Sequence, residues 1–187
     1  MFTSLEIHEF LLNQIGNSKE ISDYRNDSVI ISESTICKDQ KGLIAIDNIP
    51  KNSVIFSFRS EVTHARTRTS IQVSADSHIE PSAFGMYANH SCKPNCCMYA
   101  QLRDNGASGH IVLITTEPIA KGEEITFDYA CTETKLTPEL RGTKCLCRQF
   151  GCRITMKGYV DLTEKERRVL NASNHVLEHI KQVFVTI

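Results

Sequence analysis

Three cysteines fall inside eight residues, Cys145-Leu-Cys147-Arg-Gln-Phe-Gly-Cys152. Thiolates at C-x-C-x4-C spacing, beside Gly142 and Gly151, wrap one soft ion and leave a tetrahedral zinc site one ligand short. Cysteines buried only for packing seldom cluster in a polar, loop-like stretch. The missing ligand must come from elsewhere, and Asn89-His-Ser-Cys92-Lys-Pro-Asn95 contains the candidates. Taken alone, His90 reads as a hydrogen-bonded interior histidine. Roughly 30 residues later comes Gly122-Glu-Glu-Ile-Thr-Phe-Asp-Tyr129, behind an apolar run over 110–115 and a turn over 118–122. Its terminal tyrosine, taken alone, reads as half-buried packing at a strand end.

The ordered set changes these readings. Asn-His-Ser-Cys-x-Pro-Asn, then Gly-Glu-Glu-Ile-Thr-Phe-Asp-Tyr, then C-x-C-x4-C resembles a SET-domain protein lysine methyltransferase followed by its post-SET zinc loop. Lys41-Gly-Leu-Ile-Ala45 resembles the first SET motif, so the resemblance covers about residues 28–153. It implies an α+β fold of small twisted β-sheets with a knot-like active site and helices at both termini. It implies two cofactors, S-adenosyl-L-methionine and Zn2+. By the resemblance, Asn89 and His90 hold the cofactor, the backbone of Lys41, Gly42 and Leu43 lies along it, Tyr87 borders it, and Leu146 covers its adenine. Tyr129 matches the catalytic tyrosine, while Phe127 and Phe58 take positions of the substrate channel. Cys92 joins Cys145, Cys147 and Cys152 on one zinc ion.

The chemistry suits these residue types. Methyl transfer from a sulfonium to an amine is an in-line displacement, which needs alignment and desolvation more than an acid or a base. A lysine with an ordinary pKa of about 10.4 must lose its proton first, and an apolar channel beside a positive sulfonium favours that loss. In the family, Phe at the position of Phe127 is associated with di- or trimethylation. The partner so implied is a protein presenting a lysine, a histone tail among the candidates. Two rivals use the same residues: an inactive SET-derived binding module, and an enzyme of this fold acting on a small molecule.

Departures from the family pattern mark where the analogy is weakest. Gln40 stands where a glycine usually precedes Lys41, and Met86-Tyr-Ala88 replaces the usual Arg-Phe-x. Phe58-Arg-Ser-Glu61 replaces a Tyr-x-Gly-Glu, and the insert between Glu61 and Asn89 is short. Cys37, Cys96, Cys97 and Cys131 read as buried thiols. Arg59, His64, Arg66 and Arg68 read as a solvated basic stretch. Residues 117–133 carry five acidic residues and one lysine, which suggests an acidic rim near Tyr129 suited to a basic peptide.

These side chains need a scaffold. Short β-type runs at 28–31, 43–46, 54–58, 71–73, 97–102, 110–115 and 125–127 suggest a mostly antiparallel β body. Asp104-Asn-Gly106 between two of them is a hairpin signal. Residues 3–15 read as a helix capped by Gly16, residues 17–27 as a polar loop. Thr163-Glu-Lys-Glu166 has the form of a capping box, and apolar residues from Val169 to Phe184 at spacings of three and four suggest one amphipathic helix. That helix packs on its own domain or offers a dimer surface. The expected organisation is a helical appendage over 1–27, the SET region over 28–140, the zinc loop over 141–155 and a helical extension over 156–187.

Composition narrows the class. The 187 residues, 41% hydrophobic and 23% charged, suffice for one core. No apolar run approaches the ~20 residues of a membrane span, and Met1 is not followed by a secretory signal, so the chain reads as intracellular, nucleus and cytoplasm being undistinguished. A net charge of −1 argues against direct nucleic-acid binding, and the nine glycines form no Rossmann or P-loop cradle.

Overall fold

The computed structural model describes residues 23–184. The helix expected over 3–15, with its cap at Gly16, lies outside them. Strands β1 (Asp23–Arg25), β2 (Val29–Glu33), β3 (Lys41–Ala45), β4 (Val54–Thr63), β5 (Ile71–Gln72), β6 (His78–Ile79), β7 (Asn89–His90), β8 (Cys96–Arg103), β9 (Ser108–Thr115) and β10 (Glu124–Phe127) form two sheets. In the first, β4 pairs β9 along one edge, while its other edge is shared by β1 and β6, and β8 and β5 complete the order. The second runs β2-β3-β10-β7.

Apolar residues occupy both faces of the β4–β9 ladder. Phe56, Phe58, Ile111 and Leu113 enter the main core with Leu43, Ile79 and Ile125. Val54, Val112 and Ile114 form a smaller cluster on the opposite face. Strict alternation would put Val54 and Phe56 on one side, but the register slips between them, and this one-residue bulge turns Phe56 to the core. The β8–β9 hairpin forms where expected. Asp104, Asn105 and Gly106 all take positive φ (52°, 54° and 94°), as Asp, Asn and Gly tolerate best.

Two expectations from the sequence are corrected, and two short strands are added. Residues 23–25, read as loop, form β1 on the edge of β4, so the main body begins before residue 28. The two-residue strands β6 and β7 carry too few residues for any periodicity to announce them. The C-terminal stretch is not one helix. Thr163 and Glu166 close the capping box at the start of α1 (Glu164–Ala172), but Asn174 turns to φ 59° and the chain restarts as α2 (Glu178–Lys181). Val169 therefore faces solvent, while Val176, Leu177 and Ile180 bury against Ala130, Cys131, Tyr159 and Leu162. Those three side chains are used within the chain rather than presented to a second copy.

Candidate active site and cysteine cluster

The pairing of β7 with β10 builds the site. It is parallel, with Thr126 opposite Asn89 and Phe127 opposite His90, so two segments distant in sequence run side by side. Directly after β10 the chain makes a single 3-10 turn over Tyr129–Cys131, capped by the Asp128 carboxylate accepting from the Ala130 N–H at 3.0 Å. That turn swings the Tyr129 ring against Phe127 (centroids 4.8 Å apart) and His90 (5.2 Å). The Tyr129 hydroxyl donates to the Ala88 carbonyl at 3.1 Å. Burial pushes its pKa well above the ordinary phenol value, so the hydroxyl stays protonated at neutral pH.

These side chains open onto a cavity of about 550 Å3, within the range of small-molecule sites. Lys41, Tyr87, Asn89, His90, Phe127, Tyr129 and Leu146 all line it. Three residues singled out in the sequence do not. Phe58 lies on the core side of β4, against Phe56 at 5.7 Å, because it shares a face with that ring. Leu43 is fully buried in the same core. Gly42 sits one layer behind the wall, where a Cβ would lie 2.8 Å from the Glu124 carboxyl carbon and 3.2 Å from Asn89 Nδ2. Only glycine lets β3 approach those groups so closely.

Glu124, read in the sequence only as part of an acidic rim, is instead an organiser. Its buried carboxylate accepts from Ser34 Oγ (2.9 Å), Thr35 N (2.7 Å), Ile36 N (3.2 Å) and Asn89 Nδ2 (2.7 Å). It thereby holds the 34–37 loop and Asn89 together beside the cavity, which Ile36 and Cys37 also line. Cys37, read as a packed thiol, is thus a wall residue; Cys96, Cys97 and Cys131 are buried as expected.

Behind Tyr129 lies a second centre. One ligand atom each from Cys92, Cys145, Cys147 and Cys152 lies within 4.8 Å of the others, and Cys92 and Cys145 Sγ are 3.8 Å apart. A tetrahedral zinc with Zn–S bonds of about 2.3 Å requires sulfurs about 3.8 Å apart, so the set fits that ion. Burial pushes the Cys92 thiol up to about 11, whereas at Cys147 hydrogen bonds from its neighbours outweigh burial and draw it down to about 7. A dication is the group that would hold all four as thiolates. Left-handed φ at Arg148 (54°) and Gly151 (79°) curls the loop tightly enough to bring its three cysteines together.

His90 joins the two centres. Its Nδ1 accepts from the Tyr129 N–H at 3.2 Å, which leaves the ring proton on Nε2, 3.3 Å from Cys92 Sγ. Burial holds its pKa down to about 4, opposed by Asp128 and reinforced by Arg153, so the ring is neutral. Asp128 also accepts from Arg153 at 2.5 Å in a buried ion pair that ties the cysteine loop to the Tyr129 turn. The sequence counted Asp128 only within the acidic rim, and Arg153 did not stand out.

Residues 40–130 match the family model described as SET domain. The chain carries a SET domain. The SET match runs from Gln40 through Tyr129 and ends before the three clustered cysteines. The Histone-lysine N-methyltransferase, H3 lysine-36 specific, of Cryptococcus neoformans is 33% identical over 124 residues, 57% of this chain and 14% of that protein. The H3 lysine-9 specific KMT1 of Fusarium mangiferae is 30% identical over 150 residues, 76% of this chain and 39% of its own length. The chain thus spans well under half of either relative. Among solved structures, the methyltransferase domain of human SETMAR aligns with a TM-score of 0.53 at 20% identity, over 68% of this chain and 57% of that one. KRYPTONITE, solved with mCHG DNA and SAH, gives the same TM-score at 19% identity, over 68% of this chain and 28% of that one. These structures share the SET fold. Among the described residues no helix is long and apolar enough to cross a membrane.

Proposed function

We propose that this SET domain transfers a methyl group from S-adenosylmethionine to a lysine side chain of a protein. The observation that carries the reading is the convergence of Tyr129, Phe127, Asn89, His90 and Leu146 on one cavity of about 550 Å3, backed by the four-cysteine cluster. Asn89, His90, Lys41, Tyr87 and Leu146 would hold the cofactor, which when bound supplies the electrophilic methyl group. Tyr129, kept protonated by burial and fixed on Ala88, orients groups in the cavity and takes no proton from the amine. Phe127 supports the Tyr129 ring and keeps that wall apolar, which favours the neutral lysine that must attack. Zinc held by Cys92, Cys145, Cys147 and Cys152 would have a structural role, since four thiolates leave it no open position. A reaction of this kind belongs inside the cell, as the histone-modifying names of the relatives imply.

Transfer of labelled methyl from S-adenosylmethionine to histones and to a whole-cell extract tests the reading. Wild type should label a protein, and Tyr129→Phe should lower the rate by about a hundredfold or more while cofactor binding and fold persist. Equal labelling by the two proteins would remove Tyr129 from the mechanism.

A further inference from the structure

The acidic stretch over 117–133 does not form the rim that its sequence suggests. Glu124 is taken up by the 34–37 loop and Asp128 by Arg153. The Glu123 carboxylate accepts from Ala120 N in the turn before β10, and neither it nor Glu117 lines the cavity. Only Glu133 does, and it is buried, accepting from Gln72 N at 2.8 Å with His78 at 3.6 Å and Arg66 at 4.0 Å.

The cavity wall is cationic instead. Lys41, Arg66, Arg68, Lys135 and Lys144 line it. Lys41 pairs with Glu33, and Arg66 faces Glu133. Arg68 donates to the Gln40 side-chain carbonyl at 3.4 Å, and the exposed carboxylate of Glu139 feels its charge without forming an ion pair. Among the described residues Arg68, Lys135 and Lys144 have no ion-pair partner, and all three are exposed. Of the nearby acids, Glu80 accepts from the hydroxyls of Thr67 and Thr69 and does not line the cavity.

S-adenosylmethionine cannot neutralise this wall, because its single carboxylate is outweighed by a sulfonium and an ammonium. The target lysine brings a further positive charge. We infer that the lysine is presented within an acidic segment, whose carboxylates meet Arg68, Lys135 and Lys144 at the cavity mouth. The inference rests on the methyltransferase reading and supplies its substrate class. The same cations disfavour the ammonium form of the entering lysine, so acidic flanks draw the substrate in while the wall favours the neutral nucleophile. The cations line one cavity in a chain of net charge −1, a balance that does not favour a phosphate backbone as the partner.

The test uses the full chain and peptides sharing one central lysine, flanked by glutamates, by serines or by arginines. Calorimetry with S-adenosylhomocysteine reports separately on the cofactor site. Methylation and anisotropy-detected binding should both rank glutamate above serine above arginine, with kcat/KM spanning about tenfold or more at low salt and the gap closing as salt rises. Arg68→Glu combined with Lys144→Glu should erase that order while S-adenosylhomocysteine still binds. Equal or better use of the arginine-flanked peptide, with cofactor bound, overturns the acidic-substrate inference and leaves the methyltransferase reading standing. The acidic-substrate inference also falls if an oligonucleotide displaces the labelled glutamate-flanked peptide at lower concentration than the unlabelled peptide does. Absence of both cofactor binding and methylation fails the methyltransferase reading itself, and the inference with it.

Discussion

Glu124 concentrates more hydrogen bonds than any reacting group requires. Its carboxylate meets donors from Ser34, Thr35, Ile36 and Asn89, so both oxygens must be acceptors. Glu124→Gln replaces one oxygen by an amide NH2 that points a donor at donors. Hydrogen bonds to a charged group contribute about 1.5–3 kcal/mol each, and a loss of roughly 2–3 kcal/mol in urea unfolding is expected. S-adenosylhomocysteine affinity should fall with it, because the same carboxylate positions Asn89; unchanged stability and affinity would show that the 34–37 loop is held by other contacts.

At the scale of elements, the cysteine loop and the C-terminal segment both brace the Tyr129 turn. Purified protein should carry close to one zinc per chain, and Cys147→Ser should lower that content and the midpoint of thermal unfolding. A metal-free protein with an undiminished midpoint would remove zinc from the cluster. On the opposite side, the Leu177 N–H donates to the Cys131 carbonyl at 2.9 Å, and Ile180 is fully buried beside Ala130 and Tyr159. Ile180→Ala should cost about 2–4 kcal/mol, the range for truncating a buried aliphatic side chain. Methyl transfer should weaken in parallel, since the turn carrying Tyr129 loses its backing. A cost below about 0.5 kcal/mol would mean that the tail is only loosely docked.

Across the whole molecule, half-buried histidines of the C-terminal segment set a pH limit. Burial lowers the His179 pKa to about 4, a hydrogen bond to the Gln72 backbone opposing and His78 adding to the effect; His175 shifts the same way. Between pH 6.5 and 4 the unfolded chain therefore binds more protons than the folded one at His179. Its contribution to stability is complete above about pH 6.5, declines as pH falls, and is lost near pH 4. The full span corresponds to about 3 kcal/mol. Glu133, raised by burial, acts in the opposite sense, so the comparison to make is wild type against His179→Gln in urea titrations at several pH values. The variant should show a flatter acid limb, and parallel curves would exclude His179 as the source.

Much of the site is legible in the chain because chemistry constrains residue type and local spacing together. C-x-C-x4-C leaves few roles but metal binding, and the order of the Asn-His and Phe-Asp-Tyr motifs is enough to carry the SET resemblance. Short runs of β-branched and aromatic residues mark most strands, and Asp104-Asn-Gly106 marks its turn, since both signals are local. Non-local pairing carries the rest. Phe58 and Phe127 are similar strand aromatics buried in the same core, yet the pairing of β10 with β7 places only Phe127 where it also lines the cavity. Glu124, Asp128 and Glu133 look like a rim in the sequence because charge along a chain carries no direction. Only the fold, by turning each toward a buried donor, removes them from the surface and leaves Arg68, Lys135 and Lys144 to set the sign of the cavity mouth.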